Sequence, residues 1–357
     1  MSKHVSMQNI ADRLGISKYT VSQALSGKDG VSDETRLKIM ETARTMGYRK
    51  KINKSPAAAG LFQERDGRRR ELASSSSSSD PYMLVWIHSA KQQDPFFWPK
   101  VIDGLAQTCR DLQTDYMLIS VPPHREDELA MPGFLDPARC MGHILLGTFS
   151  TRAVISLQQT GLPLVLVDHE EPLVNVDCVV NSNVDAAVAA SKQLFREGCD
   201  SLVFVGSDSF SVSFRERALG CRIAAEEAAE SGRPVCLSKW NVPYASPTWP
   251  HDLAVRVGSV STSELPDGFI CANDHIALRL MALLKQRGFD IPGQCRVIGF
   301  DNIEAAAASS PTLSTVELSK ELLGIRAVET LLYRKRHPGR AHEKIVLAPE
   351  FIARASG

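Results

Sequence analysis

Residues 6–25 read SMQNIADRLGISKYTVSQAL, and the spacing within them decides how the N-terminal part of the chain folds. Ser6 is placed to cap a helix that carries Ile10, Ala11 and Leu14 on one face and stops at Gly15. Ser17 can cap a second helix, Lys18 to Leu25, with Val21, Ala24 and Leu25 turned inward and Ser26-Gly27 at its end. Ser32 starts a third, with Leu37, Ile39, Met40 and Ala43 buried and Gly47 closing it. Two helices separated by Gly15-Ile16-Ser17 form a helix-turn-helix, and the third completes its small core.

Charge sets this segment apart. The 357 residues carry 41 Lys/Arg and 41 Asp/Glu, a formal net charge of zero. Residues 1–54 nevertheless hold eleven Lys/Arg against five Asp/Glu, so they are net +6 and the remainder is net −6. A compact basic module on an acidic body is the electrostatic footprint of something that meets a polyanion.

Beyond it the character changes. Arg49-Lys50-Lys51 is basic, Ser55-Pro56-Ala57-Ala58-Ala59 has the signals of a helix start, and Arg68-Arg69-Arg70 is basic again. Six serines, Ser74 to Ser79, then read as a flexible tether and mark the domain boundary. From residue 82 onward apolar strand candidates alternate with helices of about 10–15 residues. The strands are Met83–His88, Tyr116–Val121, His143–Leu146, Leu164–Asp168, Leu202–Gly206, Phe269–Ala272 and Val297–Asp301. Helices include Trp98–Leu112, Asp185–Glu197, Ser213–Ser231 and His275–Arg287. Continuous apolar strands of this kind imply parallel sheets covered on both faces, and the length exceeds what one sheet usually takes. Two similar α/β lobes with a cleft between them are expected.

Several function classes drop out. No run of about 18 apolar residues is present, and the N-terminus has no apolar signal core, so neither a membrane span nor a secretory signal is expected. Eight scattered cysteines without a C-x-x-C pair read as buried thiols in a reducing cytoplasm, not as a zinc site or disulfide framework. The histidines lack ligand spacing, so no metal and no cofactor is expected. The chain has no G-x-S-x-G elbow, no phosphate-binding G-x-x-x-x-G-K-[ST] loop and no G-x-G-x-x-G after a strand, which argues against an enzyme.

The residues resemble a known family. Ser6 to Ala11, Gly15 to Ser22, Val31-Ser32 with Thr35-Arg36, and Gly47-Tyr48 closely resemble the headpiece of the LacI/GalR repressors. The resemblance continues through Asp94-Pro95-Phe96-Phe97, Ser213-Phe214-Arg215-Glu216-Arg217 with Gly220, Asn273-Asp274, Val297 to Asn302, Pro311 to Val316 and Leu323-Gly324. It implies an all-α helix-turn-helix headpiece over 1–54 and a hinge helix with flexible linker over 55–80. It further implies a two-lobed, periplasmic-binding-protein-like α/β domain over 81–357 that binds an effector and dimerises. The implied function is that of a cytoplasmic, nucleoid-associated transcription regulator, in the expected sense a repressor. Its implied partners are double-stranded DNA at a palindromic operator, a second copy in a homodimer, and a small-molecule effector, expected to be a sugar or sugar derivative.

Particular residues follow from that resemblance. The second helix is expected in the major groove, with Lys18, Tyr19 and Gln23 outward; Gln can read adenine with two hydrogen bonds and Lys can donate to guanine. Many relatives carry Arg where this chain has Gln23, so its half-site is expected to differ. Ser6, Ser17, Thr20, Ser22, Ser32 and Thr35 match phosphate-contacting positions, although simple helix capping accounts for hydroxyls there equally well. Leu61, or Phe62 beside it, is the candidate minor-groove wedge, the alternative being that residues 49–80 are only a tether. In the cleft the resemblance points to Arg215, Asn273 and Asp301 around a polar ligand, Asp168 at the mouth, Trp240 as a stacking ring, and Phe96 and Phe97 from the other lobe. An ion pair between Arg215 and Asp301, or core roles for the aromatics, are the competing readings. Asp274 reads as a helix cap, and Lys320 falls where several relatives put an aromatic near the ligand, which points toward a more polar effector.

Overall fold

The computed structural model describes residues 7–25, 32, 35, 38–39, 42–43, 81–89 and 96–357. Ser6, Leu61, Phe62 and the expected hinge lie outside these residues. Contacts divide the chain into two compact units, Met1–Ser74 and Ser75–Gly357.

In the first unit, α1 (Met7–Leu14) and α2 (Lys18–Leu25) flank a turn in which Gly15 adopts φ +65°, a left-handed conformation that favours glycine. Ile10, Ala11, Val21, Ile39 and Ala43 form a shared core, with Met7, Leu14 and Ile16 packed against it. Thr35, Lys38, Ile39, Thr42 and Ala43 are helical, as the reading of a third helix requires.

The second unit holds two six-stranded sheets. Sheet one has the order β11-β5-β4-β3-β1-β2, built from β1 (Tyr82–His88), β2 (Asp115–Val121), β3 (Cys140–Leu146), β4 (Leu164–Val167), β5 (Asp177–Asn181) and β11 (Lys344–Leu347), all parallel. Sheet two has the order β12-β10-β9-β8-β6-β7: β6 (Ser201–Val205), β7 (Cys236–Trp240), β8 (Gly268–Cys271), β9 (Arg296–Phe300) and β10 (Ser314–Glu317) are parallel, and β12 (Glu350–Ile352) is antiparallel. The seven expected strands are all present. β1 shows why they were visible: Met83, Val85 and Ile87 enter one core and Tyr82, Leu84 and Trp86 the other, so Tyr82 through Ile87 form an unbroken apolar run.

Helices cover both faces: α3 (Trp98–Asp111), α4 (Thr151–Gln158), α5 (Asn183–Arg196), α6 (Val212–Glu230), α7 (Trp249–Gly258), α8 (Asp274–Gln286), the short α9 (Glu304–Ala308) and α10 (Lys320–Arg336). The chain crosses between lobes three times, after β5, before α10 and between β11 and β12, so lobe one takes α10 and β11 from the C-terminal part. Two of the family landmarks are close helix contacts. A Cβ on Gly220 would lie 2.3 Å from the Val184 carbonyl oxygen, and one on Gly324 would lie 2.0 Å from that of Val101. Seven of the eight cysteines are buried thiols as expected; Cys236, on edge strand β7, is exposed. Among the described residues no helix is long and apolar enough to cross a membrane.

Candidate functional site

Two features of the structure concern function, one in each unit. In the first, Ser17 caps α2: its Oγ accepts from the Thr20 N–H at 3.0 Å and lies 2.8 Å from Thr20 Oγ1. Ser32 and Thr35 repeat the arrangement, at 3.4 and 2.8 Å. The two serines therefore do act as caps, a role compatible with also touching phosphate. On α2, Lys18 is exposed and Tyr19 is 71% exposed, while Thr20, Ser22 and Gln23 are half-buried. Gln23 Nε2 donates to Tyr19 Oη at 2.7 Å, an i,i+4 pair that fixes two of the proposed reading side chains against each other.

In the second unit a cavity of about 720 Å³ lies between the lobes. Lobe one contributes Phe97, Trp98, Thr148 and Asp168; lobe two contributes Arg215, Arg217, Asn273, His275 and Asp301, a serine-rich loop at the start of α6, and the rings of Phe210, Phe214, Tyr244 and Trp249. Parallel strands deliver the acids. Asp168 follows β4 at φ +54° and Asp301 follows β9 at φ +103°. Left-handed backbone at a non-glycine residue costs about 1–3 kcal/mol and persists where the surroundings enforce it. The rings form a continuous wall, with Phe210–Tyr244 at 5.1 Å, Phe210–Phe214 at 4.8 Å and Tyr244–Trp249 at 5.3 Å. Tyr244 Oη lies 2.8 Å from His275 Nδ1.

Of the effector residues read from sequence, Phe97, Asp168, Arg215, Asn273 and Asp301 line this cavity. Arg215 is exposed, and the buried arginine is Arg217, two residues on. Arg217 Nη2 lies 3.7 Å from Asp301 Oδ1, its Nε donates to Asn183 Oδ1 at 3.1 Å, its Nη1 donates to the Ala272 carbonyl, and its guanidinium stacks over Phe300 at 4.7 Å. The ion pair to Asp301 thus exists, made by Arg217. Its signal was in the sequence: Phe214, Arg217, Gly220, Cys221 and Ala224 share one buried helical face.

Two aromatics stand elsewhere. Trp240 is a core residue, 5% exposed, packed on Phe269 at 5.2 Å and under the Arg256 guanidinium at 5.3 Å, because the last residue of β7 alternates inward. Tyr244 and Trp249, later in the same connection, supply the rings instead. Phe96 is not on the cavity wall; its edge meets His275 at 4.4 Å, a contact from lobe one to lobe two.

The remaining readings also shift. Asn273, not Asp274, caps α8, its Oδ1 accepting from the Ile276 N–H at 3.0 Å. Asp274 is fully buried and ties three elements together, accepting from Thr315 Oγ1 at 2.6 Å and from the Ile303 N–H at 3.0 Å. Burial first, and then the charge of Asp301, push its carboxyl up to about 7, against the two hydrogen bonds and Lys320. Lys320 does not face the cavity. It is 2% exposed, and its ammonium donates to the carbonyls of Asp301 and Leu318 and to Glu317 Oε1, supporting the left-handed Asp301 from behind. The polar-effector argument drawn from Lys320 therefore falls away. Among the described residues no group of three or more His, Cys, Asp or Glu could hold a metal ion.

Such a site can bind rather than transform: fork donors, carboxylate acceptors and an aromatic wall converge on one space. Comparison with known proteins agrees with both units. Residues 6–51 match the model for bacterial regulatory proteins of the lacI family, and residues 191–357 that for the periplasmic binding protein-like domain. The chain is 23% identical over 352 residues to the HTH-type transcriptional repressor PurR of Aliivibrio fischeri (strain MJ11), covering 98% of this chain and 97% of that protein. It is 25% identical over 355 residues to PurR of Vibrio cholerae serotype O1 (strain M66-2), covering 98% and 96%. In structure it resembles a transcriptional regulator CelR–cellobiose complex, with TM-score 0.63, 20% identity and coverage of 99% and 100%. The lac repressor dimer bound to operator and the anti-inducer ONPF gives TM-score 0.63, 17% identity and coverage of 99% and 99%. With the lacI-family model matching residues 6–51 and the periplasmic binding protein-like model matching residues 191–357, the chain joins a headpiece like that of the lacI family of bacterial regulatory proteins to a two-lobed binding domain.

Proposed function

We propose that this chain represses transcription by holding a palindromic operator as a homodimer, under control of a sugar or sugar derivative bound between its lobes. The observation that carries the reading is the cavity. Its lining combines carboxylates and fork donors with an aromatic wall, and so matches a ligand with hydroxyls on its edge and an apolar face. Arg217, Asp301, Asn273 and Asp168 would hold the polar edge, with Arg215 at the rim and Tyr244 or Trp249 against the ring. Lys18, Tyr19 and Gln23 would read bases, and Ser17, Thr20, Ser22, Ser32 and Thr35, with Ser6, would set register on phosphates. The protein would act on nucleoid DNA in the cytoplasm. Relatives are repressors, and an open cavity favours a small molecule over a protein partner as the signal.

A flat heteroaromatic ligand is the second reading, favoured by the four-ring wall. A thermal-shift screen of mono- and disaccharides and purines on the full chain separates the two. A ligand present at 100 times its Kd adds about 2.7 kcal/mol to native-state stability by mass action. Stabilisation by a sugar is expected; stabilisation by purines alone would replace the sugar reading, and no response to either class would refute both.

A further inference from the structure

Lobe one carries a cluster of exposed cations, Lys335, Arg336 and Arg340, at the end opposite the cavity. The strands of sheet one run parallel, and Thr148 and Asp168, which follow the C-terminal ends of β3 and β4, line the cavity. The N-terminal strand ends, with Tyr82, Cys140 and Asp177, therefore form the far end. α10 brings its last turn there: Arg334 grips Asp177 with two bonds of 2.7 Å. The thiol of Cys140, paired with Tyr82 in the register, is raised by burial and lowered in part by the charge of Lys335. The Arg139 guanidinium lies 5.9 Å from the Tyr82 ring centre, and Arg340 Nη1 donates to Tyr333 Oη at 2.8 Å.

Lys335, Arg336 and Arg340 are exposed, and among the described residues no carboxylate lies within ion-pair distance of any of them. Of the acids at this end, Asp177 is engaged by Arg334, Glu170 by Lys344, and Asp136 by the Ala138 N–H, while Asp115 and Glu343 are exposed beside the cations. Phe134, in the same loop as Asp136, is 80% exposed. Cations in a last helical turn complement the helix dipole, which accounts for Lys335 and Arg336 but not for Arg340 beyond the helix.

We propose that this end of lobe one is a second, sequence-independent DNA surface, with Lys335, Arg336 and Arg340 placed against backbone phosphates. The proposal rests on the reading of the chain as a DNA-binding regulator. Charge selects the occupant. Residues 49–71, which lead into this end, hold eight Lys/Arg against three Asp/Glu, so like charge disfavours that segment and a polyanion fits. Covalent continuity adds to this: the chain enters lobe one at Pro81-Tyr82, within the patch, so a duplex held by the headpiece is tethered to it at high effective concentration.

Each phosphate neutralised adds about 0.9 to the slope of log affinity against log salt. Binding of the full-length protein to a fluorescent mixed-sequence duplex of about 40 base pairs is measured by anisotropy from 50 to 200 mM salt, the range over which such contacts are usually resolved. The triple variant Lys335→Gln/Arg336→Gln/Arg340→Gln should lower the slope by about 2–3, so that it loses about 40-fold less affinity across that range than the parent. Arg340→Gln alone, outside α10, should lower it by about 1 and guards against a folding defect in the triple variant. A slope unchanged in both variants overturns the proposal. If Lys18→Ala/Tyr19→Ala abolishes binding while the patch variants match the parent, the patch is refuted and the headpiece reading stands; if the parent itself ignores the duplex, both fall. Patch-dependent capture by phosphatidylserine vesicles, with duplex binding unaffected, would assign the surface to lipid and also overturn it.

Discussion

Replacing Asp274 by Asn should make the sensor unit more stable at neutral pH, and by an amount that vanishes in acid. The carboxyl is fully buried, and its folded value of about 7 stands roughly three units above the ordinary 3.8. An acid raised on folding binds more protons in the native than in the unfolded state, so stability is fully present below pH 3.8 and falls as pH rises toward 7. At about 1.36 kcal/mol per unit, the parent forfeits about 3 kcal/mol between pH 5 and pH 8 through this group alone. Asn reproduces the protonated acid: its oxygen can accept from the Ile303 N–H and its amide can donate to Thr315 Oγ1. Urea unfolding of both proteins at several pH values, followed by tryptophan fluorescence, gives the difference directly. The variant's advantage should grow by about 3 kcal/mol from pH 5 to pH 8. A pH-independent difference would refute the claim that Asp274 carries a buried, titrating charge.

Three further outcomes follow from geometry already described. Arg217→Met should abolish stabilisation by whichever sugar raises the parent's melting temperature, with operator affinity retained, because it leaves Asp301 and Asn183 without their donor; an undiminished calorimetric Kd would remove Arg217 from the site. Arg334→Met should cost about 3–5 kcal/mol, since it removes the charged partner of the buried Asp177 carboxylate. Burial alone would raise the Asp177 pKa, but the Arg334 and Glu343 hydrogen bonds leave it lowered, so the parent loses this stabilisation as pH falls through the folded value; a variant melting like the parent at pH 7 would contradict the account. Gln23→Ala should weaken operator binding by about 1–3 kcal/mol at one base pair per half-site, and loosen Tyr19 as well. Binding to every single-base operator variant checks it, a uniform loss meaning backbone contact only.

How far the sequence could be read depended on what each residue faces. Central strands such as β1 and β8 are buried throughout and almost wholly apolar because both faces are covered, and they were legible. Strands β5, β7, β10, β11 and β12 were not: β5 is polar at both ends, in β7 the residues Cys236, Ser238 and Lys239 are exposed, and β10, β11 and β12 are three or four residues long. Their pairing is set by neighbours distant in the chain, which periodicity does not show. The cleft acids Asp168 and Asp301 were drawn from the family resemblance, and the parallel topology accounts for their place just after strand ends β4 and β9. The choice between Arg215 and Arg217 turned on helix phase, and two residues amount to more than half a turn. Trp240 and Lys320 misled for a common reason: alignment gives a position along the chain, whereas the direction of a side chain depends on what packs beneath it.

The exchange of C-terminal segments between lobes has a consequence for synthesis. Sheet one lacks its β11 edge, and sheet two its β12 edge, until the chain has been made past residue 352. Ser356 then closes sheet two, its Oγ donating to the Val297 carbonyl at 2.6 Å and accepting from the Ser314 N–H at 2.9 Å. The headpiece core, by contrast, draws among the described residues only on 7–43, all made while most of the message is still untranslated. On a ribosome emitting about 5–20 residues per second, a DNA-reading module therefore precedes any working sensor by tens of seconds. A message cut short before its final codons would yield a protein able to recognise DNA and deaf to its signal.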